Sequence, residues 1–136
     1  MKLLMFDASE FWYKTFSKTV ENAESIDKEE KVENALVIFL QSEKEDEERQ
    51  NEVLRKAMDN IVWLARKNGR SIVVLHSFAH LSESKSSIEF AKAMLESIKE
   101  KLTSKGFTAS STPFGYFLEF KIHVRGESLA KVWKAI

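Results

Sequence analysis

The residues best suited to chemistry lie in one stretch, Ser71 to Ser86 (SIVVLHSFAHLSESKS), where His76, His80 and a group of serines follow an apolar run. Imidazole titrates near neutrality, so a loop histidine is a candidate general base or acid. The serines carry no nucleophile signature. No G-x-S-x-G elbow is present, and Ser82, Ser84, Ser86 and Ser87 read as caps and turn formers. Metal chemistry is equally unsupported. With no cysteine in the chain, a metal would need histidine and carboxylate ligands. His76 and His80 have a spacing that a helix turns into a ligand pair, but this segment reads as loop and supplies no third ligand. His76 and His123 therefore read as structural or exposed, and neither a metal nor a cofactor is expected.

What positions His80 is the strand before it. Ile72, Val73, Val74 and Leu75 form a short run of strand-forming apolar residues, the pattern of a strand buried on both faces. In an open α/β sheet the ligand crevice lies beyond the carboxyl ends of the strands, so a parallel strand here would put His80 at that crevice. A second run, Asn34 to Leu40 (NALVIFL), is followed directly by Gln41 and Ser42.

Two helices alternate with these strands. From about Asp46 to Lys67, Val53, Leu54, Ala57, Met58, Ile61, Val62, Leu64 and Ala65 fall on one broad helical face, and Asn68-Gly69 closes the helix. The acidic run Glu43 to Glu48 before it reads as a solvated face. Ser86 to Glu89 has capping-box spacing, so a second helix starts near Ser86, with Ile88, Ala91, Met94, Leu95, Ile98 and Leu102 as its buried stripe. Lys105-Gly106 ends it, and Phe107 to Ser111 is a short strand. Successive strand-helix units predict a partly parallel sheet.

The clearest alternation runs from Tyr116 to Arg125, with Tyr116, Leu118, Phe120, Ile122 and Val124 on one face of a long, half-buried strand. Pro113 and Gly115 flank Phe114 in a stiff turn before it. At the N-terminus, Lys2 to Phe6 reads as a strand and Phe11 to Val20 as its hairpin partner, with Trp12 in packing. Glu21 to Glu33 reads as a connecting loop with room for one helical turn. After Gly126, the positions of Leu129, Val132, Trp133 and Ile136 predict a short terminal helix.

Composition sets the outer bounds. At 136 residues and 43% hydrophobic content the chain suits one domain with a single core. Its 21 basic and 21 acidic residues cancel, so any nucleic-acid contact must be local. Lys85, Lys92, Lys121, Arg125, Lys131 and Lys134 are the basic residues considered for it. No export signal or membrane-length apolar stretch is visible, which points to a cytoplasmic protein.

Three motifs carry a family resemblance. Phe78-Ala79-His80-Leu81-Ser82 after a buried strand, Pro113-Phe114-Gly115-Tyr116 before a long one, and Gly126-Glu127-Ser128-Leu129-Ala130 together resemble the N-terminal editing domain of archaeal threonyl-tRNA synthetase. The order of elements fits along nearly the whole chain. The resemblance implies a fold like that of D-aminoacyl-tRNA deacylases and hydrolysis of serine mistakenly esterified to threonine tRNA. It implies His80 as the pocket histidine and main-chain contacts to the seryl group at Gln41 and Ser42. Phe78, Ala79, Phe114, Gly115, Tyr116 and Phe117 would complete the pocket.

Four positions depart from the family pattern. Phe-Gly-Tyr is usually followed by Tyr-Lys, where this chain has Phe117-Leu118. Lys131 stands where the family carries a glutamate, and the N-terminal strand ends in Asp7 instead of histidine. Loss of one preorganised donor costs ester hydrolysis about 100- to 1,000-fold. Lys121 is three residues from Leu118 and so faces the other way. Lys131 and Asp7 are available for a different charge constellation. In the related deacylases, the resemblance implies, main-chain groups and the 2′-hydroxyl of the terminal adenosine do much of the work.

The expected molecule is thus one α/β domain, residues 1–136, with a mixed β-sheet and packed helices in a D-aminoacyl-tRNA deacylase-like fold. The expected function is a freestanding trans-editing deacylase that removes serine from threonine tRNA. The alternative is a catalytically degenerate paralogue that binds tRNA, an amino acid or a synthetase. Expected partners are a tRNA acceptor end carrying an aminoacyl ester, a threonyl-tRNA synthetase lacking an editing domain, and a second copy in a homodimer. No membrane association is expected.

Overall fold

A computed structural model describes residues 1–136. In chain order the elements are β1 (Lys2–Lys18), β2 (Glu29–Gln41), a 3-10 turn (Lys44–Glu48), α1 (Gln50–Lys67), β3 (Ile72–Ser77), α2 (Ile88–Ser104), β4 (Thr108–Ser111), β5 (Tyr116–Val124), a 3-10 turn (Ser128–Ala130) and β6 (Lys131–Ala135). The sheet runs β4-β3-β2-β1-β5, with β6 also beside β1. β2, β3 and β4 are parallel, and β1 is antiparallel to its three neighbours. The mixed sheet with packed helices is as expected.

β1 organises the molecule, and here the sequence reading needs correcting. Lys2 to Phe6 and Phe11 to Val20 are not two strands of a hairpin; Lys2 to Lys18 is one strand. The intervening Asp7-Ala8-Ser9-Glu10 offers no glycine, proline or asparagine for a tight turn. The chain instead absorbs an irregularity in register between Ala8 and Glu10 and continues. Its true hairpin partner is β2, which begins at Glu29, well inside the segment read as loop.

The terminal helix is also overturned. β5 pairs with β1 only from Ala8 to Lys18, which leaves the backbone of Lys2 to Phe6 open on that side. Unpaired strand edges are costly, and β6 covers this one, with Leu4 opposite Trp133. A sheet edge needing a partner outweighs the helical spacing of a few apolar residues.

Helices cover one face of the sheet. There Leu3, Met5, Leu36, Ile38, Val73 and Leu75 pack against Ile61, Leu64, Leu95, Ile98 and Leu102. Burial of one such large side chain contributes roughly 1.5–3 kcal/mol. On the other face the sheet curls, so that Phe11, Tyr13, Val37 and Phe39 are covered by Leu118 and Ile122 from β5. The central strands are therefore buried on both sides, as their unbroken apolar runs require.

The acidic run is solvated only in part, at Glu45, Glu47 and Glu48. Glu43 and Asp46 are buried and receive hydrogen bonds from the N-terminal ammonium at 2.7 and 2.8 Å. This pairing fixes the short 3-10 turn, and α1 starts at Gln50 instead of Asp46. α2 starts at Ile88 with Ser87 as its N-cap, whose hydroxyl accepts from the Phe90 amide at 3.1 Å.

Candidate active site

The carboxyl ends of β2 and β3 meet the amino end of β5 around one cavity of about 390 Å³. Every residue expected from sequence lines it: Gln41, Ser42, Phe78, Ala79 and His80 on one side, Phe114, Gly115, Tyr116 and Phe117 on the other. Parallel pairing of Leu40 with Ser77 brings the two strand ends level, which is why motifs far apart in sequence share one space.

The roles of these side chains divide sharply. His80 is exposed, and its ring stands edge-on to Phe78 with centroids 5.0 Å apart. Its imidazole makes no hydrogen bond within the chain, which leaves both ring nitrogens for a water or a ligand. Gln41 is the opposite case. Its Oε1 accepts from the Leu81 and Ser82 amides at 2.7 and 2.8 Å, and its Nε2 donates to the Ser82 and Ser84 carbonyls at 2.9 Å each. That side chain is consumed in holding the loop after His80. Tyr116 is likewise committed: its hydroxyl donates to the Glu24 carbonyl at 2.7 Å and accepts from the Ile26 amide at 2.8 Å.

Main-chain donors remain. The amides of Ser42, Ala79, His80 and Gly115 donate to no acceptor in the chain, although their residues line the cavity. Free amides at a water-accessible pocket are the groups that bind a carbonyl oxygen or a developing oxyanion. Gly115 has φ of +83°, and a Cβ there would lie 3.0 Å from the Ala23 side chain, so glycine is required for this wall to close on the segment after β1. The Gly115 carbonyl accepts from the Thr19 amide at 2.7 Å and completes that closure.

Beneath the cavity lies an aromatic floor. His76 is buried, with its ring 5.0 Å from Phe39, 5.7 Å from Phe78 and 6.1 Å from Phe120. Its Nδ1 is 2.9 Å from the Thr112 hydroxyl. Burial pushes its pKa down to about 4, so the ring is neutral at pH 7. His76 was expected to be structural, and it also forms part of the cavity lining. Phe120 was visible as part of the β5 alternation, but its place beside His76 follows from the curl of the sheet. Nothing in the sequence signalled Thr19 and Val20, which reach the cavity from the end of β1.

The departures from the family pattern fall in two places. Leu118 lines the cavity and packs on the aromatic side of the sheet, while Phe117 is 55% exposed. Neither closes the cavity. Asp7 and Lys131 lie elsewhere. Asp7 pairs with Arg70 at 2.6 Å, opposite Leu36, about 17 Å along the ladder from Gln41. Lys131 donates to the Arg125 carbonyl at 2.8 Å. The two form no charge constellation with each other at the cavity.

The other basic candidates are also sorted by the fold. Lys121 sits over the Trp12 ring at 5.3 Å, and Arg125 is bound to Asn34. Only Lys85 of that group lines the cavity. Two other depressions, about 460 and 540 Å³, are larger, but one lies along α1, the other lies between α2 and the edge strand β4, and neither contains a histidine. Chemistry, not volume, selects the site. No cluster of three metal-ligating side chains exists, and no helix is long and apolar enough to cross a membrane.

Comparison with known proteins adds three findings. A family model described as the archaea-specific editing domain of threonyl-tRNA synthetase matches residues 1–136. Threonine–tRNA ligase from Hyperthermus butylicus is 37% identical over 97% of this chain, and that from Pyrococcus horikoshii is 33% identical over all of it. The chain spans 22% of the length of each of these relatives. A solved structure titled c-Myc DNA Unwinding Element Binding Protein superposes with a TM-score of 0.66, covering 100% of this chain and 99% of that one. At 11% identity that likeness concerns the fold alone, which is D-aminoacyl-tRNA deacylase-like.

Proposed function

Because the chain belongs to the family of archaea-specific editing domains of threonyl-tRNA synthetase, we propose that it hydrolyses the ester of serine mischarged on threonine tRNA. The observation that carries this reading is the coincidence of free main-chain amides with an unpaired imidazole at one cavity. An ester bound there finds donors for its carbonyl oxygen at Ala79, His80 or Gly115. His80, with the 2′-hydroxyl of the terminal adenosine, orients the attacking water. Water adds to the ester carbonyl, the oxyanion is held by amides, and collapse releases serine while the ribose oxygen takes a proton. No acidic side chain lines the cavity, so the seryl ammonium has no carboxylate to pair with there.

The proposal includes action in trans, beside a threonyl-tRNA synthetase, by a homodimer. Co-purification with that synthetase and light scattering test these two parts. A second reading is favoured by one observation: Leu118 occupies the position of the family lysine. On that reading the chain binds charged tRNA without hydrolysing it. Incubation with seryl- and threonyl-charged threonine tRNA separates the two. The proposed activity predicts accelerated loss of the seryl ester over the threonyl ester, and a buffer-level rate with retained tRNA binding would replace it with the second reading.

A further inference from the structure

We infer that Lys85 holds the phosphate on the 5′ side of the terminal nucleotide of a charged tRNA, an inference that rests on the proposed function. The cavity lining contains no carboxylate, and Lys85 is its only lysine or arginine. Elsewhere on the surface Lys2, Lys28, Lys31, Lys56 and Lys99 each lie within 3.6 Å of an acidic side chain. Lys85, like Lys92, Lys105 and Lys134, has no such partner, and its ammonium makes no hydrogen bond in the chain; what sets it apart is its place on the cavity lining.

Its backbone, by contrast, is clamped on both sides. The Ser84 carbonyl accepts from Gln41 Nε2 at 2.9 Å, and the Ser84 hydroxyl accepts from the Lys44 amide at 3.1 Å. On the other side the Ser86 amide donates to the Ser42 carbonyl at 3.2 Å. A fixed root carries an exposed, uncommitted cation. A hydrated ammonium of this kind suits a point contact at the rim, not the reacting centre.

The chemistry of the substrate end then selects the partner. A seryl-adenosine terminus offers an ammonium, a neutral ester, hydroxyls and a neutral base. Its one anion is the phosphodiester 5′ to the adenosine, so that group alone complements Lys85. At the amino end of α2 the Glu47 carboxylate accepts from the amide of the N-cap Ser87 at 3.3 Å, and its negative charge disfavours a phosphate there. The phosphate carries the same charge before and during ester cleavage, so the contact supplies binding without altering the chemical step.

The test uses two unreactive analogues in which an amide replaces the ester, 3′-serylamino-3′-deoxyadenosine with and without a 5′-phosphate. Binding to the wild-type protein, Lys85→Ala and Lys85→Arg is measured by calorimetry at low salt. The wild type should prefer the phosphorylated analogue by about five-fold, the scale of a partly exposed ion pair. Lys85→Ala should bind both analogues alike, Lys85→Arg should keep most of the preference, and added salt should weaken it. A preference that survives in Lys85→Ala overturns the assignment. Equal binding of both analogues by the wild type also overturns it while leaving the proposed function standing. Failure of the wild type to bind either analogue sinks both.

Discussion

The Gln41 side chain grips Ser82 at both faces of its backbone, with Oε1 accepting from the Ser82 amide at 2.8 Å and Nε2 donating to the Ser82 carbonyl at 2.9 Å. One amide thus works as a false strand neighbour for a loop that has no strand to pair with. His80 lies two residues earlier, so its position depends on this grip. The same Ser82 donates its hydroxyl to Glu43 at 2.6 Å, and the loop is anchored at a second point.

Replacing Gln41 tests the coupling. Gln41→Glu keeps the acceptor but loses both donors and sets a carboxylate against two carbonyls, and Gln41→Ala removes all four bonds. Either change should lower stability by about 2–4 kcal/mol, given that a buried group left unpaired costs roughly 1–3 kcal/mol. Urea denaturation measures that loss, and single-turnover deacylation should fall at least about ten-fold because the base is displaced. A destabilised variant with wild-type rate would mean that the loop does not place His80.

His80 itself should separate activity from folding. Its side chain is exposed and unbonded, so His80→Ala should change stability by no more than about 0.5 kcal/mol. Loss of a general base at this site should slow seryl ester hydrolysis by about 100- to 10,000-fold. A variant within three-fold (~0.7 kcal/mol) of wild type would leave the amides and the tRNA hydroxyl as the whole machinery.

These predictions rest on features of unequal visibility in the sequence. The His80 loop was legible because it follows a buried strand in a strand-helix alternation, whereas the Phe114 turn, at the amino end of β5, was placed in the pocket only by what the family resemblance implies. All nine expected residues line the cavity, but its 22 lining residues include Thr19, Val20, Ile88 and Ala91, which were not among them. What sequence could not reveal was commitment: Gln41 and Tyr116 line the cavity but spend their polar groups on the loops at 81–84 and 24–26. The same blindness affected Glu43 and Asp46, whose partner is the N-terminal ammonium, a group with no letter of its own. β6 was misread because Leu129, Val132, Trp133 and Ile136 keep helical spacing, which the unpaired edge of β1 beyond the end of β5 overrides.

The pH dependence of stability follows from His76 and Glu43. The His76 pKa lies at about 4 in the folded state, below its ordinary 6.5, because of burial. A depressed pKa means that the unfolded chain takes up the proton first. Stability present above pH 6.5 is therefore lost as the pH falls toward 4, by about 3 kcal/mol at most. Burial alone would raise the Glu43 carboxyl, but hydrogen bonds from the N-terminal ammonium, Ser82 and Lys2 hold it at about 2. Its share is lost separately, as the pH falls from 4.5 toward 2. Denaturation midpoints from pH 8 to pH 3 should therefore decline in two stages, and His76→Asn should flatten only the upper one. An unchanged upper stage in that variant would assign it to another group.

Leu118→Lys addresses the departure at the heart of the site. Leu118 is half-buried, lines the cavity and packs toward Phe11 and Phe39. A lysine stem can follow the same path and carry its ammonium into the cavity, where the lining holds no carboxylate to neutralise it. The lost apolar contact should cost about 1–2 kcal/mol. If the oxyanion is stabilised by amides but lacks a cation, the new charge should raise the single-turnover rate by about ten-fold or more, since one preorganised donor is worth about 100- to 1,000-fold in the best case. Folding checked by circular dichroism separates a lost rate from a lost structure. A folded variant with an unchanged rate would mean that the amides already satisfy the transition state, and the leucine would then be a neutral replacement instead of a defect.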